Sequence, residues 1–274
     1  MLNKKPKLFF SSTQSNNDDY NGLTKTKLKR YYLNSILKNQ IQIISMSQGI
    51  FDSWHLITSN SIHLVHNPVN CNHFKPLEKK QKSQLRNSLG FKEDEIIINV
   101  TAQVKNRKGI KEIVQGIHDL KKMNQQIKLK LIILGAVLET KYVKNLMSYI
   151  ESNGLSNLVS FLGVVEDTSI YYQISDIFVF ASILEGFPNA CLEAMASGLP
   201  IIMKELNGVS DQIVEHQKTG YIFHNDTELL EYLNVLTVNK TLRSEFGKNG
   251  RTKALKQYDY PVITEKLLDI FRFN

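Results

Sequence analysis

The chain has 274 residues, 42% of them hydrophobic, with a formal net charge of +8 and two cysteines. That length supports one large domain or two ordinary ones with a real core, and the far-apart Cys71 and Cys191 fit reduced intracellular thiols rather than a disulfide framework or a metal-ligand pair. Basic residues are enriched in the first third, which points to an acidic partner such as a nucleotide or phosphate, an anionic membrane surface or nucleic acid; a lysine-rich coding bias gives the same charge with no partner.

The start, Met1-Leu2-Asn3-Lys4-Lys5-Pro6, is basic, and Leu8-Phe9-Phe10 is too short for a signal-peptide core. No apolar run reaches the roughly 20 residues a membrane span needs. The expected location is cytoplasmic, with the inner face of the membrane as a variant of it. Lys7 to Ser12 reads as a short strand, and the polar stretch Ser11 to Gly22 as a loop. Thr24 to Lys38 has helical spacing, with Leu28, Tyr31, Tyr32, Ile36 and Leu37 among Lys25, Lys27, Lys29, Arg30 and Lys38. Such a basic amphipathic helix can make peripheral contact with an anionic membrane; an ordinary core helix with a solvated basic face is the favoured reading. Gln40 to Ser45 reads as a strand, Ser47 to Ser59 as a helix and Ser61 to Val65 as a strand. His66-Asn67-Pro68-Val69-Asn70 has the composition of a turn. Pro76 to Lys82 is the linker candidate, and Gln84 to Leu89 is a helical turn or two.

From Glu95 onward, apolar strands alternate with helices. The strands are Ile96–Ala102, Leu129–Leu134, Val159–Leu162, Ile177–Ile183, Pro200–Met203 and Tyr221–Phe223. The helices are Gly109–Asn124, Glu139–Asn153, Thr168–Ser175, Asn189–Ser197, Ser210–Val214, Thr227–Leu236, Thr241–Lys256 and Pro261–Phe271. Continuously apolar strands in this alternation predict an α/β fold: a Rossmann-like parallel sheet covered by helices on both faces. Ligands of such sheets sit beyond the carboxyl ends of the strands. Gly135, Gly163 and Glu185 fall at such ends and can share one crevice.

The most informative stretch is Leu184 to Pro200, LEGFPNACLEAMASGLP. A strand end passes through Gly186-Phe187-Pro188-Asn189 into a helix that stops at Gly198, with Glu185 and Glu193 eight positions apart. Unpaired N–H groups and the helix dipole favour an anion at such a turn. A carboxylate there repels phosphate, so Glu185 suits neutral hydroxyl groups bound beside it. Taken alone, Glu193 is a solvated or capping carboxylate, Lys108 a surface lysine, Asp176 a structural carboxylate between helix and strand, and Cys191 a core residue.

The run EGFPNACLEAMASGLPII resembles the donor-binding signature of retaining glycosyltransferases of family four, which have the two-domain GT-B architecture. His66-Asn67-Pro68-Val69-Asn70 through Phe74 is similar to that family's interdomain segment. Lys108-Gly109-Ile110 resembles the opening of the first donor-domain helix, and Val159 to Gly163 and Ser175 to Val179 match two further blocks, over about residues 41 to 258. The resemblance implies three parts. Residues 1–75 are a partial acceptor-side segment with the interdomain linker, in a fragment or truncated product. Residues 76–258 are a nucleotide-sugar domain, and residues 259–274 are a helix packing back toward the N-terminal segment.

It also implies roles. Glu185 holds sugar hydroxyls and Lys108 neutralises the departing diphosphate, so these two are the catalytic candidates. Gln103, Gly135, Gly163, Gly186, Phe187, Pro188, Asn189 and Glu193 form the rest of the donor site, with Glu193 on ribose. The implied co-substrate is a UDP- or GDP-linked sugar, and the acceptor a glycan or lipid-linked molecule in polysaccharide or glycolipid synthesis. No metal or other cofactor is expected, and His55, His63, His66 and His73 lack ligand spacing. Three departures stand out, the first being the short acceptor-side segment. Ala102-Gln103 replaces the family's Gly-Arg, with Arg107 near enough to compensate, and no acceptor-side histidine follows Thr13. They motivate the alternative of a catalytically impaired, donor-binding subunit whose acceptor wall comes from a partner chain. Nucleic acid is not an expected partner, because no zinc-finger, helix-turn-helix or RNP signature is present.

Overall fold

The computed structural model describes residues 8–12, 23, 25–37, 41–56, 58 and 61–273. Most of the loop expected over residues 11–22, including Thr13, lies outside them. The chain builds two parallel sheets. The first takes β1 (Leu8–Ser12), β2 (Ile41–Ser45) and β3 (Ser61–Leu64) in the order β1-β2-β3. Helix α1 (Lys27–Leu37) connects β1 to β2, and α2 (Gln48–His55) connects β2 to β3. Ile41, Ile43, Ile50 and Trp54 are fully enclosed between them, with Leu33 and Leu37 packed on this core.

The second sheet has β4 (Ile96–Thr101), β5 (Leu129–Leu134), β6 (Val159–Gly163), β7 (Ile177–Phe180), β8 (Ile201–Lys204) and β9 (Gly220–Phe223). All its pairings are parallel, in the order β6-β5-β4-β7-β8-β9. Its helices are α3 (Lys79–Ser88), α4 (Ile110–Met123), α5 (Thr140–Ser152), α6 (Ser169–Ile174), α7 (Asn189–Ala196), α8 (Ser210–Ile213), α9 (Asp226–Val238), α10 (Lys240–Gln257) and α11 (Tyr260–Phe273). Side chains alternate across the sheet, as a strand's period of two requires. Ile177 and Val179 of β7 join the core under α4 and α9, while Phe178 and Phe180 join the core under α7. This is the α/β architecture expected, a parallel sheet flanked by helices. Sheet order runs one way from β4 to β6 and the other way from β7 to β9. A topological switch point therefore lies between β4 and β7, and the crevice for a ligand opens there.

Two local readings are corrected. The linker candidate Pro76–Lys82 runs into α3 at Lys79. Lys82 and Arg86, four apart on one face, reach into the second sheet: Lys82 Nζ donates to Ser175 O at 2.5 Å, and Arg86 donates to Ile174 O and, at 2.6 Å, to Asp176. The helix is pinned by cations rather than by an apolar stripe, so hydrophobic spacing missed it. The apolar run Ile177–Ile183 leaves the ladder after Phe180, because Ile183 N–H donates instead to Arg107 O at 3.0 Å. At the far end, Val69 donates to Tyr258 O and accepts from the N–H of Tyr260, the first residue of α11.

Candidate functional site

The site is assembled where the connection after β4 meets the connection after β7. After β4 the chain makes one tight turn, Asn106–Lys108, that ends in Gly109 at φ 67°. A Cβ on Gly109 would lie 2.3 Å from Ala181 O and 2.7 Å from Ala181 Cβ, so only glycine lets this turn seat against the end of β7. Seating it brings Arg107 and Lys108 against Ser182 to Glu185. Glu185 Oε1 then receives three donors: Lys108 Nζ, Ser182 Oγ at 2.6 Å and Arg107 at 3.2 Å. The Lys108 and Glu185 side chains are 12% and 15% exposed, so water screens the pair weakly. Lys108 also lies over the Phe180 ring, 5.9 Å from its centroid. Arg107 donates to Leu184 O at 2.5 Å as well, which commits this group to holding the loop.

Beyond Glu185 the loop passes through buried Gly186, Phe187 and Pro188 into α7. Among the described residues nothing accepts from the N–H groups of Gly186, Phe187, Asn189 or Ala190. Gly186, Phe187 and Asn189 line a cavity of about 390 Å³ together with Met46, Asn67, Glu185 and Pro188. Asn67 fixes the loop by donating to Phe187 O at 2.9 Å and Asn189 Oδ1 at 2.7 Å. His66 stacks on Phe187 with centroids 4.4 Å apart. Its Nδ1 lies 2.8 Å from Met46 O, which can only accept, so Nδ1 carries the proton. Burial lowers the His66 pKa and keeps the ring neutral. A larger groove of about 640 Å³ lies between the Asn106 turn and α5, but it contains none of the expected site residues.

Glu193 stands one turn into α7 and accepts from the Tyr172 hydroxyl at 2.9 Å. Burial raises its pKa, and the hydrogen bond from Tyr172 works against that rise. Cys191 is a fully buried core residue; burial first, and the Glu185 charge second, push its thiol well above the usual range. Asp176 is structural, as its position implied: it accepts from Lys82, Arg86 and the Ile97 N–H.

Gln103 and Gly135 lie just beyond the carboxyl ends of β4 and β5, beside Gly163, the last residue of β6. Gly135 N–H donates to Gly163 O at 2.8 Å, and a Cβ on Gly135 (φ 139°) would stand 2.2 Å from Ala102 O. Gln103 is exposed and accepts from Lys105 Nζ at 2.8 Å. The structure thus brings Lys108, after β4, against Glu185, after β7, across the switch point; Gly186, Phe187, Pro188, Asn189 and Glu193 follow Glu185 into α7, and Gln103, Gly135 and Gly163 stand at the ends of β4, β5 and β6. Sequence reasoning missed Ser182 and Tyr172. Both read as ordinary core, and nothing in the chain pairs them with glutamates 3 and 21 positions away.

A family model described as glycosyl transferases group 1 matches residues 81–253. The chain belongs to this family. Among curated relatives, the alpha-monoglucosyldiacylglycerol synthase of Acholeplasma laidlawii is 29% identical over 200 residues, which is 71% of this chain and 49% of the relative. The capsular polysaccharide biosynthesis glycosyltransferase CapM of Staphylococcus aureus is 27% identical over 180 residues, 65% of this chain and 46% of the relative. The chain spans about half the length of these curated relatives. Among solved structures, Anabaena Alr3699/HepE in complex with UDP and glucose superposes with a TM-score of 0.82 at 20% identity, covering 98% of this chain and 72% of that one. This group 1 member shares that fold, and the family expected from the signature is borne out. No described helix is long and apolar enough to cross a membrane.

Proposed function

We propose that this chain carries the donor site of a retaining glycosyltransferase that uses a UDP- or GDP-linked sugar. The observation that carries the reading is the convergence of Lys108, Arg107 and Ser182 on one oxygen of Glu185, at the switch point and beside the free N–H groups of the Gly186–Ala190 turn. The other Glu185 oxygen is left to accept from sugar hydroxyls. The free N–H groups and two further N–H donors of the Lys108 ammonium suit the diphosphate. Glu193, held by Tyr172 through one oxygen, keeps the other for ribose. When the anomeric carbon–oxygen bond breaks, the diphosphate oxygen takes the electron pair, and the Lys108 cation stabilises the charge that develops. The acceptor hydroxyl oxygen forms the new bond to the anomeric carbon, and its proton passes to the departing diphosphate oxygen. The relatives' names favour a lipid-linked or polysaccharide acceptor. This reading gives charge neutralisation to Lys108 rather than to a divalent ion, and transfer that survives a chelator is the expected outcome.

The test is protection against thermal unfolding by UDP, GDP and their sugars. A ligand at a hundredfold excess over its Kd adds about 2.7 kcal/mol, which raises Tm by roughly 5–10 °C for a chain of this size. Glu193→Ala should abolish the shift. No stabilisation by any of the nucleotides overturns the reading. A second reading, donor binding without transfer by this chain alone, is favoured by Gln103 standing where the family carries arginine. UDP protection with no sugar release or transfer, with or without an added partner chain, selects it.

A further inference from the structure

The cavity beside Glu185 has walls from both sheets. Met46, the residue after β2, supplies one, and the Glu185–Asn189 loop that follows β7 supplies the other. Met46 packs against the cores of both sheets, so the two walls meet here.

One ring stands between them. The β2–β3 ladder is extended by Val65 N–H, which donates to Ser45 O at 2.8 Å. The next carbonyl is Met46 O, and the His66 side chain takes it through Nδ1 at 2.8 Å. That bond ties one edge of the imidazole to the first sheet. The face of the ring lies on Phe187, with the two planes 14° from parallel. Tyr258, at the end of α10, packs edge-on against His66 at 5.5 Å and lies 5.8 Å from the Phe187 ring. Tyr258 is itself fixed: its hydroxyl donates to Gln212 O at 2.7 Å, and its carbonyl accepts from Val69 N–H at 2.8 Å. Packing alone asks only for a flat ring at position 66. A ring that also bonds a carbonyl along its edge sets a distance, with Met46 at the edge and Phe187 one ring thickness from the face. Phe187 is two residues from Glu185, so the placement of its ring bears directly on the loop that carries the carboxylate and the free N–H groups of Gly186 and Phe187.

We propose that His66 is a spacer that sets the width of the crevice between Met46 and the Glu185 loop, and with it the size of sugar that the loop accepts. The sugar clause rests on the donor-site reading; the spacer clause does not. Variants of the full chain divide the two contacts. His66→Phe keeps the face and loses the bond to Met46 O. His66→Asn keeps a donor at the Nδ1 position and loses the face. His66→Ala loses both. Isotope labelling of glycine and phenylalanine reads the loop by NMR without any ligand. The Gly186 and Phe187 amide resonances should move in His66→Ala and His66→Asn, and least in His66→Phe. Calorimetric titration then compares UDP, UDP-glucose and UDP-N-acetylglucosamine. His66→Ala should change the ratio of the two UDP-sugar Kd values by about three- to tenfold, the size of one lost ring contact, while the Kd of UDP stays within about twofold. A merely structural histidine would lower the melting temperature and leave that ratio alone. Should His66→Ala not fold, His66→Asn carries the same expectation. Unmoved Gly186 and Phe187 resonances overturn the spacer, and moved resonances with an unchanged ratio overturn its part in sugar choice. If the wild-type chain binds none of these ligands, the donor-site reading fails and the resonances alone decide the spacer.

Discussion

Replacing Glu185 with glutamine separates its structural part from its electrostatic one. In the unliganded chain, Oε1 holds Lys108, Arg107 and Ser182. Glutamine keeps an acceptor of the same shape but loses the charge. The ion pairs with Lys108 and Arg107 then become cation-to-carbonyl hydrogen bonds and the Ser182 bond becomes a neutral one, a loss of about 2 kcal/mol in total, or roughly 4–8 °C in Tm. For a bound diphosphate the sign reverses, because the carboxylate repels it. At about 8 Å and an effective dielectric constant of about 20, one unit charge amounts to about 2 kcal/mol, a factor of about thirty in Kd. Glu185→Gln should therefore bind UDP up to about thirtyfold more tightly while transferring sugar far more slowly. Lys108→Ala should weaken UDP by a similar factor. Calorimetric titration with UDP, beside the rate of transfer from the UDP-sugar, reads both. If Glu185→Gln weakens UDP as Lys108→Ala does, Glu185 only shapes the loop and the division of labour between the two residues is refuted.

Gln103→Arg, which puts a cation just beyond the end of β4, should tighten UDP by about three- to tenfold, on the scale of one partly screened charge. Burial raises the Glu193 pKa, so its stability contribution is full below the unfolded value of about 4.3 and is lost as pH rises through the folded value. On the proposed ribose contact of the Glu193 carboxylate, UDP binding should weaken as pH falls through that same folded value. Tyr172→Phe removes the donor that opposes the rise, and the inflection in a UDP titration across the acid range should move to higher pH. Gly109→Ala, with a Cβ 2.3 Å from Ala181 O in a left-handed conformation, should cost about 3 kcal/mol or more in denaturant melts. Burial raises the Asp176 pKa, but Lys82 and Arg86 outweigh it and hold the carboxyl low. Its stabilisation is present above the unfolded pKa and lost as pH falls through the folded one. Asp176→Asn should cost about 3–5 kcal/mol near neutrality.

The second sheet was legible because its strands are buried on both faces. Runs such as Ile96–Ala102 and Leu129–Leu134 can hardly be anything but core, and the helices between them carry apolar stripes. Helix α3 was not legible from Lys79 because Leu85 is its one apolar residue, and the side chains that reach inward with it are Lys82 and Arg86. Arg86 is only 5% exposed, and it satisfies carbonyls of a strand connection that lies 88 residues on. A hydrophobicity pattern has no way to register a buried cation whose partner is remote in sequence.

The same limit governs the site. Residue types in EGFPNACLEAMASGLPII carried the resemblance, but not the contact between Lys108 and Glu185, which are 77 positions apart. That contact exists because β4 and β7 are neighbours across the switch point and Gly109 lets their connections touch. Strand order is a property of the whole sheet and is not written in either connection. Arg107 shows the consequence. Read along the chain, it is a spare cation near a missing one. In the fold its NH1 is bound to Leu184 O and Glu185, so it braces the loop, while the cation beside Gln103 is Lys105. The missing arginine is therefore not simply moved four positions along. The loop is held from one side by Arg107, and Lys108, which shares the Glu185 carboxylate with it, is the cation that the proposed function assigns to the diphosphate.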